Sequence, residues 1–250
     1  MRVVITGAAG RIGSEMVEEL SGVHELCLVD RSPIPRRASI VADLARSRAT
    51  SRWRPWSGLR PPRWTEAFDG ADVVLHLAAD MRNQAPWERV LHDNIEATWN
   101  VIEAAARHRV RRVVFASSNW AVKAVERALA PACYTPAGPK IISDVPPRPS
   151  SPYGLSKAFG ELTGRMFVDQ GQLGSFVAVR IGYYHPDPPL DENLRRLWIG
   201  TQDLRSLLGC CVEAKFDGFH VVYGTSAQPT APYDLSYTCR LLSWEPRQSP

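Results

Sequence analysis

Six short runs, 2-RVVIT-6, 25-ELCLVD-30, 72-DVVLHLA-78, 111-RRVVFAS-117, 175-SFVAVRI-181 and 219-FHVVY-223, are apolar and β-branched almost throughout. A strand with one face in water alternates polar and apolar residues; these do not. Between them lie amphipathic stretches at 11–21, 86–107, 153–170 and 201–212, with apolar residues at helical spacing. Buried strands separated by helices predict a parallel sheet covered on both faces, an α/β doubly wound fold. The 250 residues show no internal repeat and read as one domain, with 183–250 helping to form its substrate side. Two segments break the pattern and read as insertions: the Arg/Trp/Pro-rich 46–64, an irregular surface loop, and the Ala/Pro-rich 124–150, just before the Tyr153 helix, where a loop could cover a site.

The first strand runs into 7-GAAGRIG-13, which opens the first helix. In that context glycines three apart have a mechanical meaning. Gly7 permits a tight turn, Gly10 lets backbone approach a pyrophosphate, and Gly13 lets the helix pack close with its N-terminus toward the phosphates. Ala9, Arg11 and Ile12 complete the loop. The reading is a dinucleotide-binding Rossmann fold. Asp30 ends the second strand, placed to accept hydrogen bonds from an adenosine ribose. Its charge repels a 2′-phosphate and favours NAD; Arg31, with Arg36 and Arg37, would welcome that phosphate and keeps NADP open. Asp43 and Leu44 fall where an adenine would lie, and Leu77, Ala78, Ala79 and Ile181 leave room for the cofactor. Asn94 is either a cofactor contact or a structural bridge.

The chain has 4 lysines against 26 arginines, yet Lys157 stands four residues after Tyr153 in 150-SSPYGLSKAFGE-161. That spacing puts both on one helix face. An ammonium about 4 Å from a phenol, at an effective dielectric near 20, is worth roughly 4 kcal/mol, or about 3 pKa units. Such a phenol could exchange a proton with a substrate hydroxyl near neutral pH. The strand-end serines 117-SSN-119 supply a hydroxyl beside it.

In this order, TGAAGxxG, DL, HLAA, the Asn94 helix, FASSN, YGLSKxFGE and VRIG resemble the extended short-chain dehydrogenase/reductase superfamily, the NAD-dependent epimerase/dehydratase family. The resemblance implies that Ser118 orients the reacting oxygen, Tyr153 is the acid/base and Lys157 lowers its pKa. The stretches 114–119, 153–161, 179–182, 198–204 and 220–227 are most similar to the uronate dehydrogenases. Those enzymes use NAD to oxidise C1 of a cyclic hexuronic acid, which implies that Ser118 and Asn119 touch the sugar and Arg180 pairs with its carboxylate. Two departures stand out: Trp120 replaces a His, and Met81 or Arg82 replaces a substrate-binding Ser. Both make the site larger and more apolar. The alternatives are therefore a tailoring oxidoreductase for a modified sugar, cyclic alcohol or ketone, a nucleotide-sugar epimerase, and a dinucleotide-binding protein without catalysis. The helices at 86–107 and 153–170 are those through which such enzymes pair, so a homo-oligomer is expected.

The net charge of +4 is not gathered with aromatics on one face, which argues against a nucleic-acid partner; the expected partner is a small-molecule substrate. Five cysteines show no paired or metal-ligand spacing and read as reduced thiols, with no metal. The chain opens directly on a strand and has no apolar run of membrane-spanning length, so a cytoplasmic location is expected.

Overall fold

The computed structural model describes residues 1–46 and 63–250. In chain order the elements are β1 (Arg2–Thr6), α1 (Arg11–Leu20), β2 (Glu25–Asp30), β3 (Ile40–Val41), β4 (Val73–His76), α2 (Trp87–Val90), α3 (Ala97–Arg107), β5 (Arg112–Ser118), α4 (Lys123–Leu129), α5 (Pro152–Asp169), β6 (Ser175–Ile181), β7 (Tyr183–Tyr184), α6 (Glu192–Arg195), β8 (Trp198–Ile199), α7 (Thr201–Glu213), β9 (Gly218–Gly224) and α8 (Ser236–Leu242).

Seven strands form one parallel sheet in the order β3-β2-β1-β4-β5-β6-β9. The chain winds outward from β1 to β3, then returns to lay β4 on the other side of β1. That reversal opens a crevice beyond the carboxyl ends of β1 and β4, the place where doubly wound sheets bind ligands. Successive side chains alternate between the faces. Val3 and Ile5 pack with Met16 of α1 and Leu204 and Leu207 of α7, while Val4 packs with Phe68 and with Val101 of α3. Burial on both faces is why the central strands β1, β4, β5 and β6 read as nearly continuous apolar runs.

Two expectations change. The predicted helix 86–107 is divided into α2 and α3 by a wider π-helical segment, Leu91–Glu96. The Ala/Pro-rich 124–150 is not simply a loop, since most of α4 lies in it. Buried Glu126 accepts hydrogen bonds from Lys123 (2.5 Å), Tyr134 (2.8 Å) and Tyr233 (2.5 Å), which fix the segment to the body of the protein. Of the expected loop 46–64, residues 47–62 lie outside the described residues. Its end is a 3-10 turn, Arg63–Phe68, with Trp64 buried.

Candidate active site

Gly7 turns the chain with a φ of +75°, a conformation that favours glycine. A Cβ on Gly7 would lie 2.5 Å from the Ala78 backbone nitrogen, and one on Gly13 would lie 2.1 Å from the Gly7 carbonyl oxygen. The turn therefore holds the start of α1 against β1 and β4, with the helix N-terminus at the crevice. Beside it Asp30 accepts the N–H groups of Ala9 and Ser32, both at 2.9 Å. A cavity of about 470 Å³ follows, lined by Gly7, Gly10, Asp30, Arg31, Asp43, Leu44, Leu77, Ala78 and Ala79 among others.

A second cavity of about 370 Å³ shares Gly7, Gly10, Leu77, Ala79 and Met81 with the first, so the two form one cleft. Arg11, Ile12, Gly13, Ser118, Trp120, Tyr153, Lys157 and Ile181 line this half, with Tyr183, Tyr184 and Leu194 from the later chain. Helix α5 starts sharply: Pro152 occupies its first turn, and the Ser151 hydroxyl caps it by accepting the Gly154 N–H at 3.0 Å. One turn in, Tyr153 and Lys157 face the cleft. Ser118 ends β5, donates to the Asn119 side-chain oxygen at 3.1 Å, accepts the Trp120 N–H at 3.2 Å, and lines the same cavity as the Tyr153 phenol. The cleft thus has a helix N-terminus in the middle, a carboxylate at one end and a proton-handling group at the other. Those residues fit a dinucleotide lying across it.

The NAD dependent epimerase/dehydratase family model matches residues 3–183. The chain belongs to that family. It is 34% identical to the NAD-dependent glucose-6-phosphate dehydrogenase of Haloferax volcanii, over 99% of this chain and 93% of the relative. It is 30% identical to that organism's L-arabinose 1-dehydrogenase (NAD(P)(+)), over 99% and 97%. A solved variant of uronate dehydrogenase from Agrobacterium tumefaciens, complexed with NAD, superposes with a TM-score of 0.77 at 31% identity, covering 99% of this chain and 85% of that one.

Within this epimerase/dehydratase framework the electrostatics of the tyrosine–lysine pair depart from expectation. Burial pushes the Tyr153 phenol up to about 12, with Asp80 adding to the rise and the Ser118 hydrogen bond opposing it. Burial alone pushes Lys157 down to about 7. Its Nζ lies over the ring faces of Phe115 and Tyr153, at 5.1 and 5.6 Å from their centroids. The predicted lowering of the phenol by the lysine is not found, because desolvation undermines the very charge that was to cause it. Stability should record this. The unfolded chain, with its lysine at 10.5, holds more protons than the folded one between about pH 7 and 10.5, so this group makes stability rise with pH across that window. Lys157→Met is expected to melt higher than wild type below pH 7. That advantage should shrink toward alkaline pH in melting curves taken without cofactor.

Four predicted site residues do not line the cleft. Arg180 does not face the cleft. Its guanidinium is 1% exposed and binds both oxygens of Glu161 (2.9 and 2.8 Å), the Val145 carbonyl (3.1 Å) and the Tyr223 hydroxyl (3.0 Å), leaving no fork for a substrate carboxylate. Asn94 takes the structural role. Its oxygen accepts the Asp80 N–H at 2.7 Å, and its amide donates to the Asp80 carbonyl and Ser156 hydroxyl at 2.9 and 3.0 Å. Ser156 in turn donates to the Tyr153 carbonyl, so Asn94 braces the start of α5. Asn119 is buried behind Ser118 and lines neither half of the cleft. Ala9 also lies off both cavity walls, its N–H spent on Asp30. Sequence reading missed Asp80, Arg89 and Asp93 on the adenosine side, where the i, i+4 spacing of Arg89 and Asp93 was the available signal.

Proposed function

We propose that this protein is an NAD-dependent oxidoreductase that oxidises a ring carbinol of a sugar or similar cyclic alcohol, C1 of an aldose being the reading its relatives favour. The observation that carries it is the convergence of Ser118, Tyr153 and Lys157 in the half of the cleft continuous with the glycine turn. NAD, when bound, supplies the hydride acceptor. Asp30 would hold the adenosine ribose, the start of α1 the pyrophosphate, and Lys157 the nicotinamide ribose. Ser118 orients the substrate oxygen, and Tyr153 takes its proton as the carbon gives up hydride.

The cavity wall bears on the choice of substrate. Beside the reacting groups lie Ile12, Met81, Trp120, Tyr183, Tyr184 and Leu194, and the cationic side chains lining it are Arg11 and Lys157. Arg11 is drawn to Tyr184, its Nη2 donating to that residue's carbonyl at 3.3 Å. With Arg180 committed to Glu161, this wall favours a neutral sugar ring, its apolar face against Trp120, over a hexuronate. The test is NADH formation with L-arabinose, D-galactose, glucose 6-phosphate and D-galacturonate. Turnover of the neutral aldoses above the two anions is the expected result; a clear preference for galacturonate would return the uronate reading. Absence of turnover alongside NAD binding would favour a non-catalytic dinucleotide-binding protein.

We also infer a homo-oligomer. Leu155, Leu162 and Met166 form an exposed apolar stripe on α5, and Trp87 and Leu91 are exposed on and just after α2. A second copy of the chain is the occupant this surface fits, because α5 and the α2 region are neighbouring elements of one face. Leu162→Glu is expected to shift the mass measured by light scattering toward the monomer. An unchanged mass would remove α5 from the interface.

A further inference from the structure

At the adenosine end the cleft wall carries Arg31, Arg82 and Arg89 beside Asp30, Asp43 and Asp93. Phosphate recognition of the kind that distinguishes NADP from NAD uses an arginine fork near the ribose 2′ position, and Arg31, directly after Asp30, is placed to supply one. Its fork is already engaged. Arg31 Nη2 meets Asp93 Oδ1 at 2.7 Å and Nη1 meets Oδ2 at 3.2 Å. Arg89 reaches the same Oδ2 at 3.4 Å, and His92 Nδ1 lies 2.8 Å from Oδ1. Arg82 is held by Asp80.

The exposures are unequal. The Asp93 side chain is 4% exposed, whereas those of Arg31 and Arg89 are 51% and 53% exposed. The carboxylate is therefore the buried partner, seated in the π-helical segment, and the arginines reach it from the exposed side. Burial would raise the Asp93 carboxyl, but the hydrogen bonds from Arg31 and His92 more than offset it and hold it at about 2.

We propose that Asp93 is a specificity-determining residue: by holding the Arg31 fork it denies that fork to a 2′-phosphate, so the cleft takes NAD in preference to NADP. This rests on the reading of the cleft as an NAD site. Asp30 lies in the same wall and repels the same phosphate, but it is unchanged in each variant below and drops out of the comparison.

The experiment measures the affinities of NADH and NADPH by quenching of intrinsic tryptophan fluorescence, with Trp120 in the cleft as one reporter. Wild type should bind NADH more tightly. Asp93→Asn should move the NADPH-to-NADH ratio of dissociation constants at least about tenfold toward NADPH, and Asp93→Asn combined with Arg31→Met should lose that gain. A change in Asp93→Asn that affects both dinucleotides equally would make Asp93 merely structural and overturn the proposal. Should Asp93→Asn fail to fold, Arg31→Met alone decides, since Arg31 is exposed. If the latch holds, this substitution leaves the ratio unchanged; if it weakens NADPH selectively, Arg31 was never withheld. Wild type that binds NADH with an unmoved ratio in the variants removes only the latch, whereas wild type that binds neither dinucleotide removes the NAD reading with it.

Discussion

Tyr153→Phe is expected to lower turnover by about 10²–10⁴-fold, the range that a positioned acid/base contributes, while leaving NADH affinity within a few-fold. The hydroxyl is the only group removed. The ring keeps its place at the start of α5, because Ser151 and Pro152 cap the helix and Asn94 braces it through Ser156. Ser118 keeps its hydrogen bond to Asn119, so no hydroxyl is stranded in the buried wall. The pH profile gives a readout that a structural role would not move. With its phenol at about 12, Tyr153 is protonated at neutral pH and must lose that proton before it can accept another. Oxidation by wild type should therefore accelerate as pH rises above neutrality, and the residual rate of Tyr153→Phe should not follow that rise. Turnover surviving near the wild-type rate would take Tyr153 out of the proton's path.

Much of this architecture could be read from the chain before the structure, for reasons that differ by element. The central strands β1, β4, β5 and β6 are legible because both their faces are buried, so apolar residues run nearly through them; β2 and β9 are less covered but keep enough apolar residues to read as strands. The glycine turn is legible because its constraint is steric: backbone sits where a side chain at Gly7 or Gly13 would go. Tyr153 and Lys157 follow from helical spacing read together with the glycine turn and the strand-end serines 117–119. The π-helical segment is hidden because an amphipathic pattern looks the same whether one turn is wider or not. Segment 124–150 is hidden because Glu126 finds Tyr233 more than a hundred residues later, beyond any local pattern. Arg180 shows the limit of resemblance as a guide. Resemblance to the uronate dehydrogenases implied for it a place at the substrate, but its partner Glu161 lies on α5, and only the packing of that helix on the sheet brings them together.

That packing makes Glu161 the second residue whose replacement should have a large effect. Glu161 and Arg180 are 2% and 1% exposed, and their pair carries further bonds: Glu161 Oε1 accepts the Ser117 hydroxyl at 2.6 Å, and Arg180 donates to Val145 and Tyr223. Burial disfavours the guanidinium charge, but Glu161 more than offsets this and holds its pKa above the usual range. Glu161→Ala would leave that charge buried and uncompensated, a change that typically costs about 3–5 kcal/mol. For a chain of this length the expected fall in melting temperature is roughly 6–20 °C. Removing both charges, as in Glu161→Leu with Arg180→Met, should recover most of the loss, because apolar side chains of similar volume fill the space without a desolvated ion. The double variant also separates the two roles that Arg180 could have. If the arginine serves only Glu161, Val145 and Tyr223, the double variant keeps its activity on every sugar that the wild type oxidises. If instead Arg180 swings out to hold a substrate carboxylate, the double variant keeps its stability and neutral-sugar activity but loses galacturonate selectively.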